Sequence, residues 1–346
     1  MNFNAITIKD IARELNLSVS TVSKALRDSY EISEKTKKLV VEYAERNNYR
    51  PNPIAQSLKQ GQSKSIGIVI PTIENQFFSQ VINGIESVAY TSGFNVIISQ
   101  THELYDLEVQ NVSHLARRSI DGLLISLSTE TKNLEHLKKL HKQGLPIVFF
   151  DRVTDEIETH KVIANNFKGG YDATKHLLES GYTKIAHITG PPNISTTKER
   201  LAGYNQALAE AALQIPDEYI KHCLHGGRDT GEIENMLTEL LSLGKKPDAI
   251  FTTTDRITTI TLFLLNKLKI KIPDDIALIG YTNTTFADVL NPPLSSVYQP
   301  GFQMGQKAME MLLHIILSKR PVTEFETLIL PTQLFVRAST SSKRPV

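Results

Sequence analysis

Residues 7–26, TIKDIARELNLSVSTVSKAL, decide the reading of this chain. Thr7 and Asp10 form a T-x-x-D start, a variant of the capping box. Ile8, Ile11, Ala12 and Leu15 follow at helical spacing, and Asn16 stops the helix. Ser18 is a good N-cap for a second helix, which carries Val19, Val22, Ala25 and Leu26 at the same spacing. Two short helices joined by so tight a turn follow the helix-turn-helix plan, whose second helix enters the DNA major groove. Ser18, Ser20, Thr21, Ser23 and Lys24 support this reading. Hydroxyls and amines suit phosphate and base-edge contacts, and a helix made only for packing would not favour so many weak helix formers. Asp28 to Glu31 then reads as a loop. Ser33 caps a third helix with Leu39, Val40, Tyr43 and Ala44 on its inner face. Residues 1–50 are expected to be a small all-α DNA-binding domain.

The charge distribution agrees. Residues 1–65 hold 11 Lys/Arg against 7 Asp/Glu, while the remaining 281 residues hold 27 against 30. A basic head on a slightly acidic body points to a polyanion-binding module on a carrier. At roughly 100–200 residues per domain, 346 residues make two or three domains. Cys223 is the only cysteine, which rules out an internal disulfide and any zinc site built on two or more thiolates. The first residues lack the basic and apolar regions of a secretory leader, and no stretch approaches the ~18 apolar residues of a membrane helix. A cytoplasmic protein without a membrane partner is expected.

Asn52-Pro53 places an N-cap before a proline at the first helical position. Ile54 to Leu58 complete about two turns, and Gly61-Gln62-Ser63 reads as a linker, so residues 51–65 are a hinge. Beyond it, strands alternate with helices. Strands are expected at 65–70, 95–98, 121–126 and 146–150, with helices at 78–92, 106–118 and 132–143 between them. A second run places helices at 169–180, 197–212, 229–243 and 255–268 among strands at 184–189, 219–224, 248–252 and 276–280. Such alternation makes parallel, doubly wound sheets. Two similar lobes suggest a clamshell, with ligands beyond the carboxyl ends of the strands.

The motifs T7-I-K-D-I-A, L17-S-V-S-T-V-S-K-A-L26, I32-S-E-K-T36 and N48-Y-R-P-N-P-I-A-Q-S-L58 resemble the LacI/GalR family of bacterial transcription regulators, and the likeness continues through nearly the whole chain. It implies a core like the periplasmic binding proteins over residues 66–346. The chain would cross between lobes near 165, 293 and 328. Lobe 1 then spans about 66–164 and 294–327, and lobe 2 about 165–293 and 328–340. The resemblance places Val19, Ser20 and Lys24 where bases are read, and Ser18, Thr21 and Ser23 mostly on phosphates. Thr7, Asn52 and Ala55 complete the DNA-facing set, with Leu58 as a wedge in the minor groove.

For the cleft, the strand ends and the resemblance nominate Phe78, Asp151, Asn165, Arg200, His225, Asp255, Thr282 and Asn283. Arg200 is the strongest candidate, since its planar fork suits vicinal hydroxyls or a carboxylate. Thr282 and Asn283 stand where the family usually carries Asp after G-Y. That departure points to a pocket poorer in carboxylates, suited to a sugar acid. His225 beside His222 and Cys223 invites a metal, but on a strand 222 faces away from 223 and 225, so no metal is expected. No nucleotide-binding, nucleophile-elbow or metalloprotease motif occurs; neither catalytic residues nor a cofactor is expected. The implied partners are a pseudo-palindromic double-stranded DNA operator, a small effector (a sugar or sugar derivative) and a second copy of the chain.

Overall fold

The computed structural model describes residues 6–49 and 62–342, in two compact units divided between Ser63 and Lys64. The first unit contains α1 (Ile8–Glu14), α2 (Val19–Ala25) and α3 (Glu34–Arg46). Each starts on the expected cap: the Thr7, Ser18 and Ser33 hydroxyls accept from the N–H groups of Asp10, Thr21 and Thr36. Asp10 accepts the Thr7 N–H at 3.0 Å, which completes a capping box. Ile11, Ala12, Val22, Ala25, Val40 and Ala44 form the core. Leu39 does not join them. It is 49% exposed, because the buried stripe of α3 runs through Val40 and Ala44 and position 39 lies about 100° away around the helix. Residues 51–61 of the expected hinge, with Asn52, Ala55 and Leu58, lie outside the described residues, and Ser65 at its end already belongs to the first strand.

The second unit holds two six-stranded sheets. The first has the order β11-β5-β4-β3-β1-β2 and is parallel throughout. It comprises β1 (Ser65–Ile70), β2 (Asn95–Gln100), β3 (Gly122–Ile125), β4 (Ile147–Phe150), β5 (Lys161–Ala164) and β11 (Thr327–Leu330). Packed with them are α4 (Gln76–Thr91), α5 (Tyr105–Arg117), α6 (Glu135–Lys142) and α11 (Gly301–Leu317). The second sheet has the order β12-β10-β9-β8-β6-β7, parallel except for edge strand β12. It comprises β6 (Ile185–Thr189), β7 (Ile220–His222), β8 (Ala249–Thr252), β9 (Ala277–Tyr281), β10 (Ser295–Tyr298) and β12 (Gln333–Phe335), with α7 (Asn166–Glu179), α8 (Ser195–Glu210), α9 (Thr230–Ser242) and α10 (Asp255–Lys267). The inner strands read as continuous apolar runs because helices cover both faces of each sheet. Thus Ile66, Ile68 and Ile70 pack with Val81 and Ile85 on one face, and Val69 with Val112 and Leu115 on the other.

The chain crosses between the sheets at 165, at 299–300 and at 331–332. The first matches the expectation. The other two fall later than 293 and 328, so 294–298 belong to lobe 2 and 328–330 to lobe 1. The reason is strand pairing: Ser295–Tyr298 adds to β9, and Thr327–Leu330 adds to β5. Ser295 does not read as a buried strand residue. It is buried because its hydroxyl meets Thr340 at 2.6 Å and its N–H donates to Ser339 at 2.8 Å.

The helix pairs α4/α11 and α7/α8 approach through glycines. A Cβ on Gly84 would lie 2.0 Å from the Phe302 carbonyl oxygen, and one on Gly203 2.1 Å from that of Phe167. The second pair matters for the cleft, because α8 carries Arg200.

Candidate functional site

The carboxyl ends of both parallel sheets face one cleft, where α/β folds bind ligands. An outer chamber of about 150 Å³ is lined by Pro71, Phe78, Glu103, Arg152, Ile194 and Thr196 among others. A deeper chamber of about 40 Å³ adjoins it, sharing Asn75, Phe78, Arg152, Thr196 and Thr254. Six of the eight nominated residues line this deeper space: Phe78, Asp151, Arg200, Asp255, Thr282 and Asn283. Two do not. Asn165 caps α7, its side chain accepting the Lys168 N–H at 3.0 Å. His225 is 61% exposed, with its ring 3.4 Å from Glu232.

Arg200 is 4% exposed and held from three sides. Its Nε donates to Asn166 Oδ1 at 2.9 Å, its Nη1 donates to the Thr253 carbonyl, and its guanidinium lies 3.8 Å from the Tyr281 ring centroid. The Tyr281 hydroxyl donates to the Asn166 carbonyl at 3.1 Å, so ring and amide brace one another. All these partners are neutral. Burial lowers the Arg200 pKa from its ordinary value, and the nearest compensating charges include Asp151. It was Asn166, one residue beyond the nominated Asn165, that reached the arginine.

Asp151 is buried at the end of β4 with φ of 60°, a left-handed conformation that costs a non-glycine residue energy and recurs at functional sites. Burial pushes its carboxyl up, with Arg152 and Arg200 opposing. Asp255 is raised by burial too, while the Thr282 hydroxyl that donates to it pulls the other way. Asn283 donates to the Gln299 carbonyl at 2.7 Å and to Gln80 Oε1 at 2.6 Å. Its amide is committed to the second crossing. The expectation of a carboxylate-poor pocket does not hold: Glu74, Glu103, Asp151 and Asp255 all line the two chambers. Arg152 answers Glu103 at 2.6 Å. Burial alone would raise Glu103, but Arg152 and the Thr129 N–H outweigh it and hold it below the usual range.

Glu103, Thr196, Arg228, Thr254, Arg256 and Gln299 line the cleft without having been nominated. Thr196 carried a usable signal, one helical turn before Arg200 on the same helix face. Gln299 carried none, since β10 before it was not recognised.

In the first unit, Val19 is 43% exposed and Ser20 is also open to solvent. Thr7 and Ser18 serve as caps, and Thr21 Oγ1 meets Ser18 Oγ at 2.8 Å. Ser23 accepts from Arg27 at 3.0 Å, and Lys24 pairs with Glu31. That pair is half-exposed and of the kind worth about 0–1 kcal/mol, so a phosphate or base edge can replace Glu31.

A family model described as periplasmic binding proteins and sugar binding domain of LacI family matches residues 63–338, and one described as bacterial regulatory proteins, lacI family, matches residues 7–52. The HTH-type transcriptional repressor PurR of Vibrio campbellii is 34% identical over 316 residues, covering 90% of this chain and 92% of that protein. The repressor of the same name from Aliivibrio salmonicida is 33% identical over 314 residues, with 90% and 93% coverage. A LacI family transcriptional regulator from Enterococcus faecium with bound ribose superposes with a TM-score of 0.70 at 27% identity, covering 81% of this chain and 100% of that one. The lac repressor dimer bound to operator gives a TM-score of 0.81 at 23% identity over 98% of this chain and 100% of that one, a likeness of fold.

Proposed function

The chain belongs to the LacI family of bacterial regulatory proteins, and we propose that it is a cytoplasmic repressor whose operator affinity is set by a sugar derivative held at Arg200. It is a DNA-binding transcriptional regulator with an effector-binding core, not an enzyme. The observation that carries the effector reading is the buried Arg200 guanidinium. It hydrogen-bonds only neutral groups, and it shares its chamber with two carboxyls, Asp151 and Asp255. A cationic fork beside buried acceptors suits a compact ligand with adjacent hydroxyls and at most one carboxylate. The ribose in the E. faecium neighbour supports the same class.

Operator binding is assigned to α2 and its cap, through Ser18, Val19, Ser20, Thr21, Ser23 and Lys24, with Thr7 at the cap of α1. Two copies would bind a pseudo-palindromic site. A homodimer is the assembly that such a two-fold site calls for. Among the described residues no helix is long and apolar enough to cross a membrane.

The test is a thermal-shift screen of the full chain against neutral sugars, sugar acids, sugar phosphates and nucleobases, repeated with Arg200→Lys. Stabilisation by a sugar or sugar acid that Arg200→Lys abolishes is the expected result. Stabilisation by nucleobases alone, or a sugar shift that survives the substitution, contradicts it.

A further inference from the structure

We propose that Arg228 and Arg256 form a two-point electrostatic clasp that holds the lobes together over the mouth of the cleft. Both sit on the second lobe, and each reaches a carboxylate of the first. Arg228 Nη2 lies 2.9 Å from Glu130 Oε1, and its Nη1 donates to the His102 carbonyl at 3.2 Å. Arg256 Nη2 lies 3.1 Å from Glu74 Oε2. Arg228, Arg256 and Glu74 line the outer chamber themselves.

Each jaw is built for its part. On the second lobe, Gly226 and Gly227 have φ of 60° and 84°, a double left-handed turn that glycine adopts without strain. The turn aims Arg228 at the first lobe and clears room for its neighbour: a Cβ on Gly227 would lie 3.1 Å from Arg256 Cγ. On the first lobe, the segment bearing Glu130 is pinned on both sides. The Thr129 N–H donates to Glu103 at 2.9 Å, and the Ser128 N–H and Thr131 hydroxyl donate to the fully buried Glu108 at 2.7 and 2.8 Å. Glu103 also binds Arg152. From across the cleft, Asn193 Nδ2 of the second lobe adds a contact to the Thr129 carbonyl at 3.4 Å beside the clasp. The carboxylate that Arg228 meets is therefore presented by a fixed loop, which lowers the entropy cost that makes most surface pairs weak. Because the pairs are partly exposed, salt screens them. The clasp belongs to the second unit alone and does not depend on which effector Arg200 meets.

Hydrogen exchange on the full chain without added ligand tests it. The readout is the exchange of segments 71–78 and 190–197, which face the outer chamber, compared with the core strands Gly122–Ile125 and Ala249–Thr252. Arg228→Glu and Glu130→Arg alone should each speed exchange of both facing segments at least threefold, with the core strands unchanged. The double variant, which restores the pair with opposite polarity, should return to within twofold of wild type. Raising sodium chloride from 0.05 to 1 M should loosen the wild type in the same segments. Arg228→Gln replaces Arg228→Glu if the reversal prevents folding. Single variants that exchange like wild type, or a double variant as loose as the singles, overturn the clasp.

Discussion

Arg200 works through its surroundings. Its Nε is held by Asn166 and its face by Tyr281, so the remaining fork is presented in one orientation. Lysine keeps the charge but has neither the fork nor the stacking plane. Arg200→Lys should therefore weaken effector binding at least tenfold by titration calorimetry, with operator affinity unchanged. A second buried group makes a different prediction. His187 is fully buried, stacked 4.6 Å from the Tyr204 ring, and burial lowers its pKa to about 3. Unfolding restores a pKa near 6.5. Between those values the unfolded chain binds the extra proton, so stability is complete above about 6.5 and is lost as pH falls toward 3, by up to about 1.4 kcal/mol per pH unit. The second unit should melt progressively lower from pH 7 to pH 5. His187→Phe should flatten that slope, as read by scanning calorimetry.

At the scale of elements, the α7/α8 contact sets where Arg200 stands. The methyl group of Gly203→Ala would meet the Phe167 carbonyl at 2.1 Å, and backbone cannot yield as a side chain does. Overpacking of this kind costs about 1–3 kcal/mol, so calorimetry should show a melting point several degrees lower. Gly244→Ala, where nothing lies within 4 Å, should leave it nearly unchanged. In the first unit, Ser18→Ala removes the cap of α2 and should cost about 1 kcal/mol in urea unfolding. Much of this was legible in advance. The caps Thr7, Ser18 and Ser33 and the strand patterns of β1 to β4 and β6 to β9 announced their elements, because local hydrogen bonding and burial act on adjacent residues. β5, β10, α11, β11 and β12 were not recognised. Their partners lie far away in the chain: α11 packs on α4, β5 pairs with β11 and β10 with β12, and Ser295 and Ser296 are held by Arg337, Ser339 and Thr340 from the C-terminal end. The same distance hid Arg228 and Arg256, whose partners Glu130 and Glu74 lie in the other lobe. Asp151 and Arg200 were visible because strand ends and a family motif mark them.

At the scale of the whole molecule, the charge split and the cleft serve one linked equilibrium. Residues 1–65 carry the excess of Lys and Arg, so log affinity for DNA should fall linearly with log salt, by about 0.9 per phosphate contacted. Filter binding between 0.05 and 0.3 M salt checks this. An effector that prefers one lobe arrangement changes operator affinity, and the operator changes effector affinity by the same factor. The most direct measurement of this claim is fluorescence anisotropy of the full chain on an operator selected from random duplex DNA, with and without the compound that most raises its thermal stability. Ligand-controlled repression predicts at least a fivefold change in operator Kd, and an equal change in ligand Kd when the operator is saturating. The same Kd with and without the ligand would contradict it.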